Sequence, residues 1–92
     1  MNRITWKKNM TEALNEVKGG TRLPMIFFFG QECEGSKKMI NEVLTDEKVA
    51  VAIERETAPM MVDVDKDREL ARRFKVEWTP AFVICAHDGG RG

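Results

Sequence analysis

The chain has 92 residues, 42 % hydrophobic and 33 % charged, and its fifteen basic residues cancel fifteen acidic ones. That length holds one small domain, expected over residues 1–92. The charge balance removes the electrostatic reason to expect nucleic acid or an anionic membrane as a partner. Two cysteines, Cys33 and Cys85, and one histidine, His87, share no zinc-type spacing and are too few for a disulfide-stapled fold, so no metal is expected. Residues 1–8 hold no apolar core of signal-peptide length, and the longest apolar run, residues 24–29, is too short to span a bilayer. A soluble, cytoplasmic protein is expected.

In chain order, residues 3–6 read as a short edge strand. Met10, Ala13, Leu14 and Val17 recur at helical spacing, and Gly19-Gly20 supplies the stop. Residues 23–29, Leu-Pro-Met-Ile-Phe-Phe-Phe, are apolar on both faces, which suits a central strand covered on two sides. A second helix is predicted from about residue 34 or 35 to 44, with Met39, Ile40, Val43 and Leu44 inward. Thr45-Asp46 caps a third, where Val49, Ala52 and Ile53 align. Residues 59–64 form the next strand, Asp67 caps a helix over 67–74, residues 76–80 connect, and 81–86 make an apolar strand ending in a His87-Asp88-Gly89-Gly90 turn. Strands alternating with helices imply an α/β layered domain with a largely parallel centre.

The order of landmarks is more informative. An apolar strand runs into Gly30-Gln31-Glu32-Cys33-Glu34-Gly35-Ser36-Lys37-Lys38. A strand ending Val62-Asp63-Val64-Asp65 follows, then Val76-Glu77-Trp78-Thr79-Pro80 leading into Ala81-Phe82-Val83-Ile84 and Asp88-Gly89. From about Trp6 onward this resembles the thioredoxin superfamily. The resemblance implies a thioredoxin-like fold, a central mixed sheet flanked by helices, here expected to lack the last strand and helix because the sequence ends at Gly92. It implies a cis bond between Thr79 and Pro80 facing Cys33, and a groove in which Thr79 holds a substrate backbone. Three positions depart from the family pattern: Ser36 replaces the second cysteine of the redox pair, Phe27 replaces a buried aspartate, and Glu32 replaces the tryptophan before the active cysteine.

A thiol at a helix start faces unpaired backbone N–H groups, which favour the reactive thiolate. Lys37 and Lys38 assist this, whereas Glu32 and Glu34 oppose it, so a thiol less acidic than in strongly oxidising members is expected. Cys33 is the candidate nucleophile. Ser36 is its catalytic neighbour, placed to hydrogen-bond the sulfur. Thr79, Pro80, Trp78 and Glu32 are the candidate substrate contacts. A serine cannot resolve a mixed disulfide. Cys85 is a poor substitute, since five strand residues carry it roughly 16 Å from Pro80.

Two readings follow. The first is a thiol–disulfide exchange protein limited to monothiol chemistry, acting on protein or glutathione disulfides without metal or organic cofactor. The second is a redox-inactive module that binds a protein partner through the Cys33/Pro80 groove. A sheet edge left open by a missing last strand is expected to invite pairing with another chain, as in a homodimer. The aspartates 63, 65 and 67 lack the glycine and distal glutamate of a calcium loop and read as a strand end with a helix cap. Cys85 and the phenylalanines read as core, Arg72-Arg73 as a solvated helix face and His87 as an exposed turn residue.

Overall fold

The apolar stretch after Arg22 forms β1 (Leu23–Phe29), the middle strand of a three-stranded sheet in the order β2-β1-β3. The computed structural model describes residues 4–90. Around β1 lie α1 (Met10–Val17), α2 (Glu34–Lys38), a π-helical turn (Met39–Val43), α3 (Glu47–Glu56), β2 (Thr57–Asp63), α4 (Arg68–Arg73) and β3 (Ala81–Ile84). β2 runs parallel to β1, with Phe29 opposite Asp63, and β3 runs antiparallel, with Phe28 opposite Ala81. The mixed sheet is flanked by helices. Its register decides where a site can form: the chain leaves β1 at the edge where it enters β3, so the residues after Phe29 meet those before Ala81.

Alternation along β1 feeds two packing layers. Ile26 and Phe28 join Met60, Val62, Val83 and Cys85 beneath Ala71 and Phe74, with Met10 of α1 packed against the cluster. Ala13 and Val17 complete that face against Ala58. Phe27 faces the opposite way and is fully buried, stacked on Phe82 at 4.7 Å and on Trp6 and Phe29 at 6.1 Å each. Burying one such ring stabilises the fold by about 1.5–3 kcal/mol. The strand prolines fit because the N–H and C=O of one residue project to the same side. The Pro24 carbonyl accepts from Cys85 N–H and the Pro59 carbonyl from Lys7 N–H, so neither missing donor falls between β1 and β2.

Several boundaries differ from the sequence expectation. Of the edge strand expected at residues 3–6, Arg3 lies outside the described residues and 4–6 are not strand. Pairing occurs one residue later, as a single parallel bridge from Lys7 to Met60. β2 starts at Thr57 rather than 59 and ends at Asp63, and β3 stops at Ile84. The second helix is broken by the π turn, in which Leu44 N–H donates to the Met39 carbonyl at 2.8 Å. The extra residue in that turn stacks Leu44, not Val43, over Met39. Leu44 is therefore buried while Val43, expected inward, is 40 % exposed. In α3 the most buried residue is Ala50, between the expected Val49 and Ala52.

Phe28→Ala is expected to lower the unfolding free energy by about 3–5 kcal/mol. Val43→Ala should change it by no more than about 0.5 kcal/mol. Urea denaturation of the two variants checks the pair, and comparable losses would contradict the assigned packing.

Candidate active site

The turn between β1 and α2 closes through Cys33 N–H donating to the Gly30 carbonyl at 3.1 Å. Cys33 then stands as the N-cap of α2 with extended backbone, and its Sγ accepts from Ser36 N–H at 3.4 Å. A sulfur thus fills the capping role that serine, threonine, aspartate and asparagine usually fill. Ser36 is fully buried. Its Oγ accepts from Gly30 N–H at 3.1 Å, which leaves the hydroxyl proton free for the Cys33 sulfur. From the other side comes the loop before β3. Its Thr79–Pro80 bond is cis, and the Thr79 carbonyl lies 3.2 Å from Cys33 Sγ, where it accepts from the protonated thiol.

These contacts set the sulfur's protonation. Its pKa is lowered to about 7, first by the Ser36 hydroxyl, then by the Thr79 side chain and Ser36 N–H, with a smaller contribution from Gly35 N–H. Partial burial pushes the other way. The Thr79 carbonyl, which can only accept, also favours the protonated form, so the result reflects donors outweighing one acceptor. Cys85 behaves oppositely. It is fully buried in the core, and burial pushes its thiol up. A sulfur that is half thiolate near neutral pH, partly exposed and held by donors is a nucleophile suited to attack on disulfides.

The structure brings Cys33, Ser36, Thr79 and Pro80 together. Glu32 and Trp78 lie at the rim, each next in sequence to a site residue. Both are exposed, Trp78 by 77 %, and no hydrogen bond among the described residues ties either to the sulfur. Sequence reasoning missed four contributors: Gly35, Gly30, Gln31 and Asp63. A Cβ on Gly35 would lie 3.0 Å from Pro80 Cδ, a tight contact that the absence of a side chain relieves where α2 meets the proline loop. Gly30 is similarly confined, with Thr79 Oγ1 at 3.2 Å and Cys33 Cβ at 3.3 Å from the position of a Cβ. Asp63, 8 % exposed at the end of β2, accepts from Gln31 Nε2 at 3.0 Å and from Asp65 N–H at 2.9 Å, and so tethers the turn that precedes Cys33. A glycine inside a helical turn, normally unfavourable, was the available signal for Gly35. The Gln31–Asp63 bond left none.

Ser36→Ala should raise the Cys33 pKa from about 7 toward about 8.5, read as the pH midpoint of thiolate ultraviolet absorbance. The orphaned Gly30 N–H should also cost about 1–3 kcal/mol of stability. Gly35→Ala should cost a net of no more than about 2 kcal/mol by denaturant titration, since crowding against the Pro80 ring is offset by about 1 kcal/mol of helix propensity. A neutral effect would mean that the loop yields freely.

A family model described as a thioredoxin-like domain matches residues 10–91. No curated protein sequence matches significantly. Among solved structures, a thioredoxin from Thermus thermophilus is similar with a TM-score of 0.79 and 31 % identity, over 97 % of this chain and 69 % of that one. A protein described as DsbH oxidoreductase is similar with a TM-score of 0.85 and 22 % identity, over 98 % of this chain and 70 % of that one. The strand-to-helix cysteine, the proline loop opposite it and the matching family model agree: this chain belongs to the thioredoxin-like family.

Proposed function

We propose that the chain performs thiol–disulfide exchange with Cys33 as its only working sulfur. The observation that carries the reading is the partly exposed Cys33 sulfur at the N-cap of α2, 3.4 Å from Ser36 N–H and 3.2 Å from the Thr79 carbonyl of a separate segment, where hydrogen-bond donors lower its pKa. Membership of the thioredoxin-like family, and structural similarity to a thioredoxin and to a named oxidoreductase, support thiol–disulfide chemistry in general. An attacking thiol works best with its pKa near the ambient pH, where thiolate is plentiful but still strongly nucleophilic, and about 7 meets that condition.

In the proposed reaction the Cys33 thiolate attacks one sulfur of a substrate disulfide. A bond forms between Cys33 and that sulfur as the substrate's own S–S bond breaks. The departing sulfur leaves as a thiolate and takes a proton from water. Ser36 has no thiol with which to expel the bound half, and Cys85 is fully buried. Release therefore awaits attack by an external thiol, which restricts the protein to mixed-disulfide formation, reshuffling or deglutathionylation. Partners would be protein or glutathione disulfides.

Alkylation of Cys33 should rise through a midpoint near pH 7 and level off above it, falling about tenfold per pH unit on the acid side as the thiolate is protonated, with Cys33→Ala as the control. By mass spectrometry, the protein mixed with a small disulfide should hold one adduct until reduced glutathione is added. Ser36→Cys should discharge it unaided. A midpoint near 8.5, or an adduct that the wild-type chain releases by itself, overturns the proposal.

A further inference from the structure

From the contacts behind the Cys33 turn we infer that Gln31 and Asp63 are a positioning pair for the exchange reaction: the bond between them fixes the turn that carries the sulfur and so sets how fast the thiolate reacts. This rests on the exchange chemistry proposed above. Gly30, Gln31, Glu32 and Cys33 make one turn, closed by Cys33 N–H on the Gly30 carbonyl at 3.1 Å. On its near side Gly30 N–H donates to Ser36 Oγ at 3.1 Å. The outer corner, Gln31 and Glu32, is exposed, and no ion pair among the described residues holds Glu32. The corner is tethered through Gln31, whose Nε2 donates to Asp63 Oδ2 at 3.0 Å, thirty-two residues away in sequence.

The Asp63 end is rigid. Asp63 closes β2 opposite Phe29, and Val64 N–H donates to the Phe29 carbonyl at 3.0 Å, so the last rung of the parallel pairing lies immediately before the turn. Asp63 Oδ1 accepts from Asp65 N–H at 2.9 Å. The Asp63 carbonyl accepts from Lys66 and Asp67 N–H at 3.0 and 2.9 Å, which joins it to the start of α4. The residue is 8 % exposed, and no ion pair among the described residues reaches its carboxylate. A carboxylate withdrawn from water needs hydrogen bonds, and these two hold it in one orientation. An exposed glutamine side chain is ordinarily free among rotamers, so its fixed pose depends on that partner.

The sulfur stands two residues beyond Gln31, 3.4 Å from Ser36 N–H and 3.2 Å from the Thr79 carbonyl. Ser36 holds the near side of the turn and Asp63 the far side, and two attachments resist a rotation that one permits. A turn that swings outward takes the sulfur from its donors and from the Thr79–Pro80 wall together. Displacing a reacting group by about 1 Å can slow a reaction about a hundredfold. A bond that served stability alone would leave the thiolate's rate and midpoint unchanged.

The experiment measures second-order rates with bis(2-hydroxyethyl) disulfide, well above the thiol midpoint so that every sulfur is ionised. The reagent is neutral, so removing the Asp63 charge does not alter its encounter with the protein. Gln31→Ala should lower this rate about tenfold. It should also move the thiolate absorbance midpoint upward from about 7, with the circular dichroism spectrum unchanged. Asp63→Ala should be at least as slow. Asp63→Asn keeps an oxygen for Asp65 N–H and can donate to a reversed Gln31 amide, and it should restore most of the rate that Asp63→Ala loses. Where Asp63→Ala fails to fold, Gln31→Ala, a change at an exposed side chain, still decides. A Gln31→Ala protein with wild-type rate and midpoint overturns the inference and leaves the exchange proposal standing. A wild-type Cys33 inert to the disulfide removes both.

Discussion

The hydrogen bond from Gly30 N–H to the Ser36 hydroxyl, 3.1 Å long and buried, joins the end of the central strand to the first turn of α2, and the placement of the Cys33 sulfur follows from it. The same hydroxyl is the leading cause of the lowered Cys33 pKa, so the group that closes the turn also favours the thiolate. Polarisation along such a chain strengthens each bond in it. The sheet thereby influences the acidity of a group that none of its strands contains. The same interaction gives a physical reason for the serine. It supplies one donor and one acceptor in a site where an apolar residue of similar size would strand an amide.

Much of the fold was legible because it rests on patterns that burial enforces. The unbroken apolar run of β1 marked a strand covered on both sides, and Asp46 and Asp67 marked helix starts because their carboxylates accept backbone N–H groups there. The π turn was not legible. It shifts the helical phase by one residue, and a periodic reading assumes constant phase, which is why Val43 was placed inward. The site divided similarly. That Cys33, Ser36, Thr79 and Pro80 lie together was legible because a strand-to-helix cysteine and a Thr-Pro approach to a strand form a recognisable order. Gln31 and Asp63 were not, since thirty-two residues separate them and only the parallel register of β1 and β2 brings their ends together.

Phe27 illustrates how one position alters two properties. The resemblance would place an ionisable carboxylate there, and the chain has a fully buried ring in a stack with Trp6, Phe29 and Phe82. An apolar stack contributes to stability without the desolvation cost of a buried charge. It also leaves this interior position without a proton acceptor. A second thiol deep in the site would be the group that needs one, and Ser36 occupies that place. The two departures are therefore chemically compatible with each other.

The full burial of Cys85 has a consequence for oxidative damage. Peroxide converts an accessible thiolate to a sulfenic acid, and proteins commonly arrest that process by condensing the product with a neighbouring thiol. Cys33 has the acidity and exposure to enter this sequence, but the chain's other thiol is sealed in the core. Reversal of the first oxidation step then depends on a reductant arriving from solution, and where such reductants are scarce the sulfur proceeds toward irreversible acids.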